Sequence, residues 1–259
     1  CVLIIAFIRN NRYTLKMPHQ RKRIYEDIII KRMKLWPVIG VMGPRQVGKS
    51  TLLRDLVGPK INSRYVTMDS KTDRKRAENS PEAFTEIEKG CKTLIIDEIQ
   101  KVNDLFDSIK LHVDRKRIPG RYIISGSTEF SKYTGIRESL TGRIGTIHIY
   151  PMTFSETHSG LFSQYFLKRT KVSAKIPLAE FDRKIGKGGM PGICFLRSTD
   201  EFNQAVKTWL ETSCYRDLQE VGSGDFDGAL ALEIISAIAT EEDPVLPKIA
   251  KKVRSDSRV

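Results

Sequence analysis

VMGPRQVGKSTLL, residues 41–53, carries the spacing G-x-x-x-x-G-K-[ST] at Gly43, Gly48, Lys49 and Ser50, directly after an apolar run. Glycines let the backbone curl until successive N–H groups converge on one point, and a helix starting there adds the positive end of its dipole. Such a loop cradles phosphate. Gly43, Pro44, Arg45, Gln46, Val47, Gly48, Lys49, Ser50 and Thr51 are therefore the candidate nucleotide contacts. Lys49 is placed to reach the terminal phosphates of ATP, and Ser50 to offer its hydroxyl to Mg²⁺. The flanks fit the mechanism: PVIGVMG reads as a short buried strand, and KSTLLRDLVG as a helix stopped by Gly58.

Outward from the loop, strands alternate with helices. RKRIYEDIIIKRMKL places Ile24, Ile28 and Leu35 on one helical stripe. RYVTMD is a second strand, and SPEAFTEIEKG a helix with Ser80 as N-cap, Pro81 in the first turn and Gly90 at its end. KTLIIDE and RYIISGS are Ile-rich apolar runs separated by VNDLFDSIKLHVDRKR, a helix through Leu105, Ile109 and Val113; GTIHIYPM alternates like a strand. Strands apolar throughout and separated by helices predict an α/β fold, a parallel sheet covered on both faces. This domain is placed at 22–158, after an N-terminal extension (1–21) whose first 16 residues precede a plausible start at Met17. Residues 159–225 read as a smaller, mostly helical domain. It has a capping box at TFSE just before it, a glycine-rich break at KIGKGGMPG and a second capping pattern from Ser198 to Glu201.

Three further stretches carry chemistry. Thr93–Glu98 is an apolar run delivering Asp97 and Glu98 to the end of a strand expected beside the loop. Asp97 suits the Mg²⁺ shell, directly or through water, and Glu98 could deprotonate a water attacking the terminal phosphate. YIISGST ends in hydroxyl residues; Ser127, and after it Ser125, is the candidate to hydrogen-bond that water or phosphate, although a plain strand-to-loop turn explains the same residues. Arg143 in SLTGR either neutralises transition-state charge or is an ordinary surface arginine. Ser70-Lys71-Thr72-Asp73 and Ser173-Ala174-Lys175 resemble guanine-reading pieces, but the first precedes the Asp-Glu strand and no D-x-x-G follows Asp97, which excludes a GTPase.

Composition limits the alternatives. The longest apolar run, VLIIAFI at 2–8, falls far short of the ~20 residues of a membrane-spanning helix. Four cysteines without a C-x-x-C pair argue against a disulfide or zinc framework and for a reducing cytoplasm. The net charge of +13 concentrates at the ends: residues 1–50 hold eleven Lys and Arg against two acids, and KIAKKVRSDSRV closes the chain. Nucleic-acid affinity and simple solvated faces both explain it.

The ordered set GPRQVGKSTLL, LIIDEIQKV, YIISGSTEF, SLTGRIGTIHIYPMTFSE and GGMPG resembles a prokaryotic family of AAA+ superfamily ATPases whose core is followed by a conserved domain of unknown function. The resemblance spans roughly 22–225. It implies ATP binding and hydrolysis by Lys49, Ser50, Asp97 and Glu98, a phosphate-sensing place for Ser127 and a nucleotide-linked one for Arg143. It makes Pro151, Phe154 and Glu156 (P-x-x-F-x-E) structural, and gives Gly188, Gly189 and Pro191 a turn opening the second domain. Residues 226–259 resemble the start of a truncated winged helix, or equally a basic amphipathic helix. The leading expectation is a Mg²⁺-dependent ATPase coupling hydrolysis to a conformational change on a protein partner or a second copy. A nucleotide-gated switch or DNA-binding module that does not hydrolyse is the alternative. A kinase is disfavoured because no Arg-rich lid is present.

Overall fold

The computed structural model describes residues 21–126, 140–157, 177–217 and 227–253. Contacts divide the chain into two units, one running to Phe195 and one beginning at Leu196, so the described residues 177–195 group with the sheet. Among the described residues the first unit holds five strands: β1 (Val38–Met42), β2 (Ser63–Thr67), β3 (Thr93–Asp97), β4 (Tyr122–Gly126) and β5 (Ile144–His148). All pairings are parallel, in the order β2-β3-β4-β1-β5. The expected α/β class is what forms.

Strand period 2 explains the uninterrupted apolar runs. Val38, Met42, Leu94, Ile96, Tyr122 and Ile124 point to one face, where they pack with Leu105, Phe106, Ile109 and Val113 of α5 (Asp104–Arg115). Ile39, Val41, Ile95, Ile123 and Ile147 point to the other. There they meet Tyr25 and Ile29 of α1 (Ile24–Arg32) and Leu52, Leu53 and Val57 after the loop. β1, β3 and β4 are buried along their whole length, as a sheet covered on both faces requires.

Several local expectations change. The helix after the loop is α-helical only at α2 (Lys49–Thr51), π-helical over Leu52–Val57, and continues through a tight 3₁₀ turn at Gly58–Lys60. Gly58 is thus not a terminator. It is small because a Cβ there would lie 2.9 Å from the Leu53 carbonyl oxygen. Leu35 falls beyond the end of α1 and is 74% exposed. Ser70 and Asp73, the guanine-motif lookalike, form the N-terminus of α3 (Lys71–Asn79), with the Ser70 hydroxyl accepting from the Asp73 N–H at 3.3 Å. α4 (Pro81–Thr85) stops five residues short of Gly90. The Thr85 hydroxyl turns back to donate to the Pro81 and Glu82 carbonyls, and Glu86 is extended.

Two short helices complete the first unit, α6 (Phe154–Thr157) and α7 (Leu178–Lys187). The capping box at Thr153 is reciprocal: the Thr153 hydroxyl accepts from Glu156 N–H at 3.3 Å, and Glu156 accepts from Thr153 N–H at 2.8 Å. The second unit contains α8 (Thr199–Thr212), α9 (Gly228–Ala239) and α10 (Leu246–Val253). Ser198 caps α8, and Asp227 caps α9 through the Ala229 and Leu230 N–H groups. None of the described helices is long and apolar enough to cross a membrane.

Replacing Ile123, fully buried in β4, by Ala should lower unfolding free energy by about 2–5 kcal/mol, whereas Leu178→Ala, on the 73% exposed Leu178, should change it by less than about 0.5 kcal/mol. Urea denaturation followed by circular dichroism distinguishes the two; equal effects would contradict the assigned sheet interior.

Candidate functional site

Parallel pairing puts the C-terminal ends of all five strands at one edge, where ligands of open α/β sheets bind. The phosphate loop leaves β1 there, and Asp97 ends β3. The two strands are not neighbours, contrary to the expected placement. β4 lies between them, so the loop and the carboxylates face each other across the end of β4.

The loop is curled as its glycines predict. Gln46 (φ 61) and Gly48 (φ 89) are both left-handed. A Cβ at Gly43 would lie 2.2 Å from the Ile149 carbonyl oxygen, so only glycine fits beside that backbone. Lys49 is buried, and its ammonium donates to the carbonyls of Gly43 at 2.9 Å and Pro44 at 2.8 Å. Burial holds its pKa below the ordinary lysine value; Glu98 and Asp97 pull it back up, while Arg45 pushes it further down.

Asp97 is 2% exposed and accepts three hydrogen bonds. Ser125 donates to Oδ1, the Glu98 N–H donates to the same oxygen at 3.2 Å, and Tyr65 donates to Oδ2 at 2.7 Å. Burial, followed by the bond to Asp97, drives the Tyr65 phenol far above its ordinary pKa, so it stays a proton donor. The Ser50 side chain lies close enough to the same phenol to oppose that rise. The side-chain oxygens of Ser50 and Asp97 fit a hard divalent cation, and the position of Asp97 is set by groups outside it.

Glu98 occupies the left-handed region (φ 53), a conformation that costs a non-glycine residue about 1–3 kcal/mol and marks sites where structure overrides preference. Gln100 Nε2 donates to Glu98 Oε2 at 2.5 Å. Burial raises the Glu98 pKa first of all; Gln100 and Lys49 oppose the rise, and Asp97 and Asp69 add to it. Gln100 Oε1 is buried without a partner among the described residues.

Of the expected site residues, the structure gathers Lys49, Ser50, Asp97 and Glu98 at one edge. Ser127 lies outside the described residues, as do Ser173 to Lys175. Ser125 is described, but its hydroxyl is committed to Asp97. Arg143 is at the other end of the sheet. Its carbonyl accepts from Val38 N–H at the start of β1, four strand residues, roughly 13 Å, from the loop. Its guanidinium is bidentate on Asp114, at 2.6 and 2.9 Å, and Nη1 donates to the Thr141 carbonyl at 3.0 Å. It does not approach the loop of its own chain. Tyr65 was not anticipated at all. A tyrosine in a short strand has many uses, and only the pairing of β2 with β3 brings its hydroxyl to Asp97.

With this geometry in view, similarity to known proteins can be placed. Residues 36–158 match the family model of an AAA domain. The match supports a nucleotide-binding domain of the ATPase class. Uncharacterized proteins of Mycobacterium bovis and Mycobacterium tuberculosis are each 28% identical to the chain over 187 residues, 72% of this chain and 37% of theirs. The chain therefore spans little more than a third of the length of those relatives. Among solved structures, a Walker-type ATPase of Pyrococcus abyssi is similar at a TM-score of 0.49 and 16% identity, over 90% of this chain and 83% of that one. A RuvB variant of Thermotoga maritima follows at 0.44 and 15%, over 89% and 82%.

Tyr65→Phe removes one oxygen and keeps the ring. Loss of the hydrogen bond to Asp97 should raise the Mg²⁺ concentration needed for nucleotide binding about tenfold or more, with little change in melting temperature. Titrating Mg²⁺ against a fluorescent ATP analogue measures this; an unchanged midpoint means Tyr65 does not orient the Asp97 carboxylate.

Proposed function

We propose that the first unit binds ATP with Mg²⁺ and hydrolyses it, with the free energy used for a conformational change acting on a macromolecular partner. The observation that carries the reading is the convergence of a curled phosphate loop, the buried Lys49, the oriented Asp97 and the strained, partly buried Glu98 at one sheet edge. Backbone N–H groups of Arg45–Thr51 bind the phosphate oxygens, Pro44 having none to offer, and Lys49 exchanges its two carbonyl partners for the terminal phosphates. Ser50 and Asp97 would hold Mg²⁺, which when bound spreads the charge of the phosphates. Glu98 accepts the proton of a water whose oxygen bonds to the terminal phosphorus as the bond to the ADP oxygen breaks.

Ser127, outside the described residues, is the proposed hydroxyl for the terminal phosphate, Ser125 being bonded to Asp97. Arg143 enters only if it serves the nucleotide of a neighbouring copy, since within its own chain it is turned toward Asp114. A protein partner or second copy remains part of the proposal, as does nucleic-acid contact through the basic ends, together with a place in the cytoplasm.

A second reading has its own support. Gln100 restrains Glu98 and burial favours its neutral form, as expected of a switch that holds ATP without turning it over.

One set of measurements separates the two. Glu98→Gln should lower ATP turnover by about a hundredfold or more and leave ATP-analogue affinity near that of the wild type. Only ionised Glu98 can take the proton, and its pKa is raised. The wild-type rate should therefore climb with pH along an acid limb lying above the ordinary carboxylate range, and that limb should vanish in the variant. Equal rates in the two proteins remove Glu98 from the mechanism. Tight ATP binding without phosphate release at any pH selects the switch.

A further inference from the structure

A buried, hydrogen-bonded charge in the first unit belongs to a residue that the ATPase reading does not use. Arg23 precedes α1 and is 4% exposed. Its Nε donates to Glu156 Oε1 at 3.0 Å, Nη1 to the Val47 carbonyl at 2.9 Å, and Nη2 to the Tyr150 carbonyl at 2.8 Å. Glu156 is 1% exposed and also accepts from Ile24 N–H and Thr153 N–H, both at 2.8 Å. Val47 lies inside the phosphate loop. A buried charge removed from water on this scale is tolerated only when it is paired and hydrogen-bonded, and here one acceptor on each of its three nitrogens is supplied by the loop and by the 150–156 stretch.

The consequence follows from peptide geometry. The carbonyl of Val47 and the N–H of Gly48 belong to one planar trans peptide and point in opposite directions. Fixing the carbonyl on Arg23 therefore fixes the direction of the Gly48 N–H on the far side of the plane. Gly48 itself is left-handed, and a Cβ there would lie 3.5 Å from both Arg23 Nη1 and Pro191 Cγ. The segment behind Pro191 is fastened in turn: Met152 N–H donates to the Gly189 carbonyl at 2.7 Å, and a Cβ at Gly189 would fall 2.0 Å from the Met152 carbonyl oxygen. The P-x-x-F-x-E and G-G-x-P stretches thus form the backing of the loop.

We infer that Arg23 is a positioning residue of the phosphate loop: held by Glu156, it grips the Val47 carbonyl and presets the Gly48 N–H for an anionic ligand. The planar fork suits the site, because its three nitrogens each reach a different acceptor, whereas a lysine carries all its donors on a single nitrogen. The ligand part rests on the nucleotide-binding reading; the grip on the loop does not.

The test uses the full chain. In Arg23→Gln, hydrogen–deuterium exchange at the amides of residues 45–50 should rise several-fold while β3 and β4 keep their protection. Affinity for a non-hydrolysable ATP analogue should fall about tenfold, with Arg23→Lys recovering only part of it. Should Arg23→Gln not fold, Glu156→Gln, which preserves shape and the acceptor for Thr153, is expected to give the same loop signature more weakly. A variant that only melts at lower temperature, with loop exchange and analogue affinity unchanged, would overturn the inference. If the wild type binds no nucleotide, the ATPase reading falls, and the exchange pattern alone decides the grip.

Discussion

Everything at the candidate site depends on five strands running the same way. Parallel register carries the chain after β1, the carboxylate at the end of β3 and the hydroxyl on β4 to a single edge without any contact between them being specified in advance. β4, inserted between the other two, sets the spacing. It holds the loop and Asp97 one strand apart, leaving a gap the width of a β-strand spacing on either side of Ser125. A two-faced apolar core maintains that alignment. Because Ile95 and Ile123 pack on one side and Leu94, Ile96 and Ile124 on the other, slipping any strand by one residue would send each set into the opposite core, where neither fits.

Much of this was legible in the residues. The loop was readable because its requirements are local: curled glycines, a lysine and a hydroxyl at the start of a helix. The sheet was readable because strands buried on both faces show as unbroken Ile and Val runs. Strand order was not readable. KTLIIDE and RYIISGS are equally apolar, and nothing in either says which one pairs with β1. Tyr65 and Arg23 were hidden for a related reason. Arg23 sits in the run RKR beside Arg21 and Lys22 and looks like solvated charge, yet its carboxylate partner is Glu156, 133 residues away. Glu156 itself was marked by its motif but read as a cap, which it also is. Gly58 shows the opposite error, a glycine needed for space taken as one needed for a turn.

The charged side chains fall into two classes. Arg64 with Glu88 and Lys101 with Asp69 lie in water, where such pairs contribute little to stability. Arg23 with Glu156, and Asp97 with its three donors, are desolvated and held by several hydrogen bonds each. The buried charges of the Arg23–Glu156 pair and Asp97 thus lie behind and beside the loop.

Lys49 gives the loop an unusual resting chemistry. Its ammonium is already solvated by two carbonyls of the loop it belongs to, so an arriving anion meets a cation that has partners rather than a bare one. Occupation is then an exchange of acceptors, in which the gain is the difference between a phosphate oxygen and a peptide oxygen. Neutral or singly charged ligands gain little from that exchange, whereas a polyanion gains repeatedly along the same stretch of backbone. On the nucleotide-binding proposal, charge density is therefore weighed by the loop backbone itself, before any contact with a base or sugar is made.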